Sequence, residues 1–182
     1  MADMLVNLYD LPDCDDLIKR LEDEGINIRR AMAPDLYGIL DYVGRNFGTN
    51  WKGECTVCFA HQPISCFVAE KDGKLLGFAC YDATMRDFFG PTAVDESCRG
   101  KGVGAALLLS SLWSMRDEGY AYAIIGGIGP AAFYEKVCGA KMIENSTPGA
   151  YRDFTLHSTT LMVTRLGRRR STVTSSRYGS FV

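Results

Sequence analysis

The residues from Cys98 to Leu109 read CRGKGVGAALLL, with glycine at 100, 102 and 104, Arg99 just before them, Lys101 among them, and an apolar run of helical length directly after. The first N–H groups of a helix have no intrahelical acceptor and stand at the positive end of its dipole. A glycine loop at that end is therefore a site for phosphate. Arg99 and Lys101 add mobile positive charge. Glycine this dense costs backbone entropy, so three in five positions imply that something must approach the main chain closely.

Three kinds of site use such a loop. A nucleoside-triphosphate loop ends in Gly-Lys-Ser/Thr, whereas Gly100-Lys101 is followed by Gly102. A dinucleotide fingerprint of the G-x-G-x-x-A type can be drawn through Gly100, Gly102 and Ala105. It belongs directly after a first strand, with an acid ending the next one. Here the loop lies mid-chain, and the following apolar run AYAIIGGI has no acid. The third pattern, Arg/Gln-x-x-Gly-x-Gly/Ala, is met by Arg99, Gly102 and Gly104.

The elements that must position this loop can be read from periodicity. A short strand and a helix from about Pro12 to Glu24, with Leu17, Ile18 and Leu21 in one stripe and Gly25 as a stop, open the chain. INIRRA is a strand candidate. Pro34 opens a helix whose Leu36, Ile39, Leu40, Val43 and Phe47 share a face, closed by Gly48. Thr49 or Asn50 caps a shorter helix that carries Trp51, Cys55, Cys58 and Phe59 on one side and ends at Pro63. Two strands joined at Asp72-Gly73 suit a tight hairpin, and DFFGPTAV is a further strand. The helix after the glycines shows a stripe of Ala105, Leu108, Leu112 and Met115 and stops at Gly119. AYAIIGGI has the length and apolarity of a buried central strand. Pro130 and Gly139 bracket a short helix. Strand-like stretches follow near Ala140–Glu144, Tyr151–Leu156 and Thr159–Arg165. From residue 166 the sequence turns basic and Ser/Thr-rich, the composition of a tail.

In this order the segments resemble the GCN5-related N-acetyltransferase (GNAT) superfamily. INIRRAMAPDLYGIL is similar to its first strand and helix and FVAEKDGKLLGFACY to its second and third strands. FFGPTAVDESCRGKGVGAALL is similar to its fourth strand and acyl-CoA loop, and AAFYEKVCGAKMI to the Phe-Tyr-Glu-Lys helix near its end. The resemblance covers roughly Ile26 to Glu144. It implies an α/β (α+β) fold: a mixed, mostly antiparallel central sheet with splayed strands 4 and 5 and flanking helices. Residues 26–165 would form the acyl-CoA-binding domain, residues 1–25 a strand–helix extension outside the usual core, and residues 166–182 the tail. Two roles are open for the extension: completing the acceptor site, or mediating a homodimer.

By the same resemblance the co-substrate is acetyl-CoA. Its pyrophosphate would lie on Arg99, Gly100, Lys101, Gly102, Val103, Gly104 and Ala105, where side chains at 100, 102 and 104 would obstruct it. Its pantetheine would pair with Thr92, Ala93 and Val94, and Pro91 suits a splayed edge. Gly126 and Gly127 end the fifth strand, as a close approach to substrate or as a bulge. Tyr134 matches the family's general acid, and an unperturbed phenol stays protonated at neutral pH. The FFGPTAV strand has no carboxylate for a base. Glu54, Asp82 and His61 border the region, and Tyr81 and Trp51 are wall or core. The implied activity is acetyl transfer to a primary amine of a small molecule or peptide, by direct attack in a ternary complex. The alternative is a non-catalytic acyl-CoA sensor on the same fold.

Cys55, Cys58, His61 and Cys66 are zinc-ligand types, but the spacing is not that of a knuckle, and no metal is expected. Cys138 has no histidine to pair with among His61 and His157. Arg168, Arg169 and Arg170 read as a solvated tail. A 182-residue chain with 47% hydrophobic and 23% charged residues can bury a core. A net charge of −2 and a pI near 5.7 argue against a nucleic-acid partner. No run is long and unbroken enough for a membrane span. Seven cysteines without a scaffold spacing, and no leader at the start, fit a cytoplasmic protein.

Overall fold

The computed structural model describes residues 2–150. The strand candidates at 151–156 and 159–165, and the tail with its arginines, lie outside them. In chain order the elements are β1 (Met4–Asn7), α1 (Asp15–Asp23), β2 (Asn27–Arg30), α2 (Leu36–Asn46), α3 (Thr49–Cys58), β3 (Cys66–Lys71), β4 (Lys74–Tyr81), β5 (Phe88–Val94), α4 (Val103–Asp117), β6 (Tyr122–Ile125), α5 (Ala131–Cys138) and β7 (Lys141–Met142). The strands form one sheet in the order β2-β3-β4-β5-β6-β1-β7. Every neighbouring pair is antiparallel except β5–β6, which is parallel.

Strand alternation builds a core on each face. Cys66 and Val68 of β3 and Phe78 and Cys80 of β4 pack with Ile39 and Val43 of α2 and Cys55 and Cys58 of α3. Ala69, Ala79 and Tyr81 point the other way, toward Leu107, Leu108, Leu112 and Met115 of α4. The β3–β4 turn at Asp72-Gly73 has φ of 51° and 74°. Two left-handed residues in a two-residue hairpin follow the strands' twist.

The first 25 residues are woven into this sheet. β1 lies between β6 and β7, pairing Met4 with both Ile125 and Met142. Met4, Val6, Leu8 and Leu21 are fully buried. This explains why α4 is not the one-striped helix its periodicity suggests. Val103, Ala106, Leu107, Leu109, Ser111 and Ser114 are buried along with Leu108, Leu112 and Met115, while Ala105 is only half-buried. The sheet covers one side of α4, and Leu8, Leu11, Cys14 and Leu21 share its core on the other. A helix covered on two sides needs apolar residues on both. The Trp113 indole N–H ties the helix to the Pro12 carbonyl at 3.1 Å.

Several boundaries shift for local reasons. α1 begins at Asp15, where the Asp13 carboxylate accepts from the Asp15 N–H at 2.7 Å, rather than at Pro12. Pro34 sits in a 3-10 turn, Ala33–Asp35, ahead of α2. Gly48, with φ 89°, precedes α3 in place of a Thr49 or Asn50 cap, and α3 stops at Cys58, well before Pro63. The strand expected at 140–144 is paired only at Lys141–Met142.

Candidate functional site

β5 and β6 pair only at Phe88–Ile124 and Phe89–Ile125. Beyond Phe89 they part. β5 continues its ladder with β4, matching Thr92 to Ala79, Ala93 to Phe78 and Val94 to Gly77, and the Thr92 hydroxyl donates to the Phe78 carbonyl at 3.0 Å. Its other edge is left open from Gly90 onward. The splay expected between these two strands is present.

A cavity of about 810 Å³ opens beside that edge. Its walls include Thr92, Ala93 and Val94 of β5, Arg99, Gly100, Gly102, Gly104 and Ala105 of the loop and first turn of α4, and Tyr134 of α5. So nine of the residues singled out in the sequence meet around one space. Lys101 is exposed and Val103 is buried in the core; neither side chain reaches the cavity, and their part would be played by their backbone. The first N–H of α4 with an internal acceptor is that of Ala106, donating to the Gly102 carbonyl at 3.0 Å. Among the described residues, those of 102–105 have none.

The three glycines differ in their reasons. Gly100 and Gly102 have φ of 80° and 95°, which disfavours side chains whatever the surroundings. A Cβ on Gly102 would also stand 2.8 Å from Leu17 Cδ1 and 2.9 Å from Arg20 Nη2. Gly104 is ordinary helix, and its Cβ would meet only Phe133 and Val94 side chains at 3.6 Å. The chain's own geometry thus explains two of the glycines. Only at Gly104 does the missing side chain serve nothing but room in the cavity.

The cavity's charge is one-sided. Among the described residues, Arg20, Arg99 and Lys136 line it and no aspartate or glutamate does, in a chain where acids outnumber bases 22 to 20. Arg20 and Leu17 come from α1, and Lys136 and Phe133 from α5. The sequence reading missed these four because α1 meets the loop only through tertiary packing. A lysine and a phenylalanine beside Tyr134 in FYEK were the one available signal.

Tyr134 is 8% exposed. Its ring packs edge-on against Phe133, with centroids 5.1 Å apart. Its hydroxyl has no hydrogen-bond partner among the described residues. Burial, and then the nearby Cys138, push its phenol above the ordinary value. A neutral phenol with a free O–H at a cavity wall can give up a proton. Cys138 itself is pushed up to about 11 by burial, and its thiol donates to the Tyr134 carbonyl at 3.2 Å, so it is no nucleophile at neutral pH.

The remaining candidates lie elsewhere. Asp82 closes the β4–β5 connection, accepting from the Asp87 N–H at 2.9 Å and the Tyr120 hydroxyl at 2.8 Å. His61 Nδ1 is 2.8 Å from the Ser65 hydroxyl. Glu54 is raised by burial and accepts from the Thr84 hydroxyl at 2.5 Å. None of the three lines the cavity. Tyr81 is fully buried on the α4 face, where its hydroxyl meets Arg30 at 2.7 Å, Ser114 at 3.0 Å and Glu118 at 2.5 Å. It is a core residue and not an acceptor wall. Trp51 stacks on Phe47 at 4.6 Å between centroids. Gly127, φ 57°, donates its N–H to Asp3 at 2.9 Å and turns the chain out of β6. Cys55, Cys58 and Cys66 are wholly buried with Cys80, whose thiol lies 3.8 Å from that of Cys55. His61 turns to Ser65 instead, and among the described residues no three His, Cys, Asp or Glu are placed so as to hold a metal ion.

Residues 62–137 match the family model of the acetyltransferase (GNAT) domain. This part of the chain is similar to a GNAT domain. The match takes in β3 to α5 and with them the open edge of β5, the glycine loop and Tyr134. Solved structures with the GNAT fold superpose on a wider span. A GCN5-related glucosamine N-acetyltransferase region of a fungal multi-domain GH3 β-N-acetylglucosaminidase gives a TM-score of 0.63 at 16% identity, over 78% of this chain and 19% of that one. A GCN5-related N-acetyltransferase from Sphaerobacter thermophilus gives 0.61 at 17% identity, over 78% and 48%. One from Kribbella flavida gives 0.54 at 16%, over 78% and 53%. The chain thus spans only a fifth to about half the length of these proteins. No curated protein matches the chain. No helix among the described residues is long and apolar enough to cross a membrane.

Proposed function

We propose that the protein is an acetyl-CoA-dependent N-acetyltransferase acting on a primary amine in a ternary complex. The observation that carries this reading is the cavity beside the open edge of β5. Among the described residues its lining has three cations and no carboxylate, it includes the start of α4 with its free N–H groups, and it has Tyr134 in its wall. Those features fit a ligand that is polyanionic at one end and amide-bearing along its arm.

Acetyl-CoA would supply the activated acyl group. The N–H groups of residues 102–105 would hold its diphosphate, with Arg99 as a cation beside them. The free edge of Thr92–Val94 would pair with the pantetheine amides and so fix the thioester's direction. When the neutral amine attacks, a C–N bond forms and the C–S bond breaks; Tyr134 gives its proton to the departing sulfur, and the proton lost by the nitrogen passes to water, from which the tyrosine regains its own. Holding both reactants in place supplies much of the rate.

The test is thermal unfolding with acetyl-CoA, CoA and NAD in parallel, followed by thiol release against a panel of amines. A ligand at a hundred times its dissociation constant adds about 2.7 kcal/mol. Stabilisation by both CoA species and not by NAD, with amine-dependent thiol release, is the expected result. Stabilisation without turnover on any amine would favour an acyl-CoA sensor. No shift with either CoA species would remove the acyltransferase reading.

A further inference from the structure

We infer that the N-terminal helix α1 completes the anion site and that Arg20 is a second cation on the diphosphate of the acyl-CoA. This rests on the reading of the cavity given above. Arg20 precedes residues 62–137, the span of the GNAT match, yet it lines the same cavity as Arg99, Gly100 and Gly102. Its Nη2 donates to the Lys101 carbonyl at 3.1 Å, and its Nη1 to Glu24 at 3.3 Å. A guanidinium has five N–H donors, so three stay available.

The position is built. Leu21 is fully buried and anchors α1, and Leu17, one turn before Arg20, packs on Gly102 so closely that no Cβ fits between them. The glycine at 102 is what lets α1 reach the loop. Lys101, the charge that the sequence offered, faces away, and Arg20 stands in its place. Arg99 is held by Glu96 at 3.2 Å within the loop, with both side chains largely exposed. The two arginines therefore approach the loop from different elements.

The test uses the full 182-residue chain. Dissociation constants for CoA, 3′-dephospho-CoA and pantetheine are measured by calorimetry for the unsubstituted chain, Arg20→Gln and Arg20→Lys. Arg20→Gln should weaken CoA and 3′-dephospho-CoA alike by about tenfold, the range of a charged hydrogen bond. Pantetheine binding should be unchanged, Arg20→Lys should recover part of the loss, and the difference should shrink at high salt. Arg20 is half-exposed, so unfolding of the unliganded variants should match that of the parent. Equal CoA affinity in parent and Arg20→Gln would overturn the inference. So would a loss confined to CoA, which would move Arg20 to the 3′-phosphate, or an equal loss for pantetheine, which would make its role one of cavity shape. An unsubstituted chain that fails to bind CoA would instead bring down the reading of the site, and this inference with it.

Discussion

Two of the loop glycines should answer the same substitution in opposite ways. Gly104→Ala places a methyl group in ordinary contact with Phe133 and Val94 and replaces a poor helix former by a good one, a gain of up to about 1 kcal/mol. Its unliganded melting temperature should hold or rise while CoA affinity falls. Gly102→Ala forces a left-handed backbone on alanine and drives its methyl into Leu17 and Arg20. It should cost about 1–3 kcal/mol of stability, visible in melting without any ligand. For Tyr134→Phe, turnover should drop about a hundredfold, the scale of a lost general acid, with little change in CoA affinity. The tyrosine must be protonated to act, and burial raises its pKa. The alkaline limb of kcat should therefore lie above the ordinary phenol range and disappear in the phenylalanine variant. At this scale the loop pattern and FYEK were legible, because local sequence makes an anion-binding turn and places a tyrosine on a short helix. Arg20 and Lys136 were not, because their roles exist only once α1 and α5 close on the loop. Asp82 and His61 could be weighed only as structural polar residues or as a base, because a polar residue in a connection looks the same whether it holds the turn or faces a substrate; the structure gives both local hydrogen bonds.

Each of the two cores gives an element of its own to probe. On the α2 side, Asp35 accepts from Arg29 at 2.7 and 3.0 Å and from the Met32 N–H at 2.7 Å, joining β2 to the start of α2. The Arg29 hydrogen bond holds the Asp35 carboxyl below the usual range. A depressed folded-state pKa contributes stability above the unfolded-state value and loses it as pH falls through the folded one. Asp35→Asn should therefore cost about 1 kcal/mol at neutral pH, discounted for partial exposure, and the gap to the parent should close in acid melts. On the other side, Val6→Ala in β1, opposite Ala123 of β6, removes fully buried methyl groups and should cost about 1–3 kcal/mol, read from urea midpoints. The order of strands and helices was legible from periodicity and from turn residues such as Asp72-Gly73. The place of β1 was not. Nothing in MLVN says which edge it joins, and only the two-sided burial of α4 reflects the cover that α1 and its approach provide.

At the scale of the whole molecule, the charge of the cavity runs against that of the chain. Binding of a polyanion by three exposed cations should weaken steadily with added salt, whereas pantetheine, which has no phosphate, should bind independently of it. Titrating CoA at several ionic strengths checks this. The sheet order has a consequence of another kind. Asp3 and Gly127 bond across 124 positions, and β1 can take its place only between β6 and β7. During synthesis β1 leaves the ribosome well before β6 and β7, between which it must pair, and until they emerge it has no strand to lie beside. Long-range pairings of this sort slow folding and leave apolar surface open while the chain is incomplete. The nascent chain carries Met4, Val6 and Leu8, all buried once folded, uncovered until then, so β1 is where chaperone dependence in this protein should concentrate.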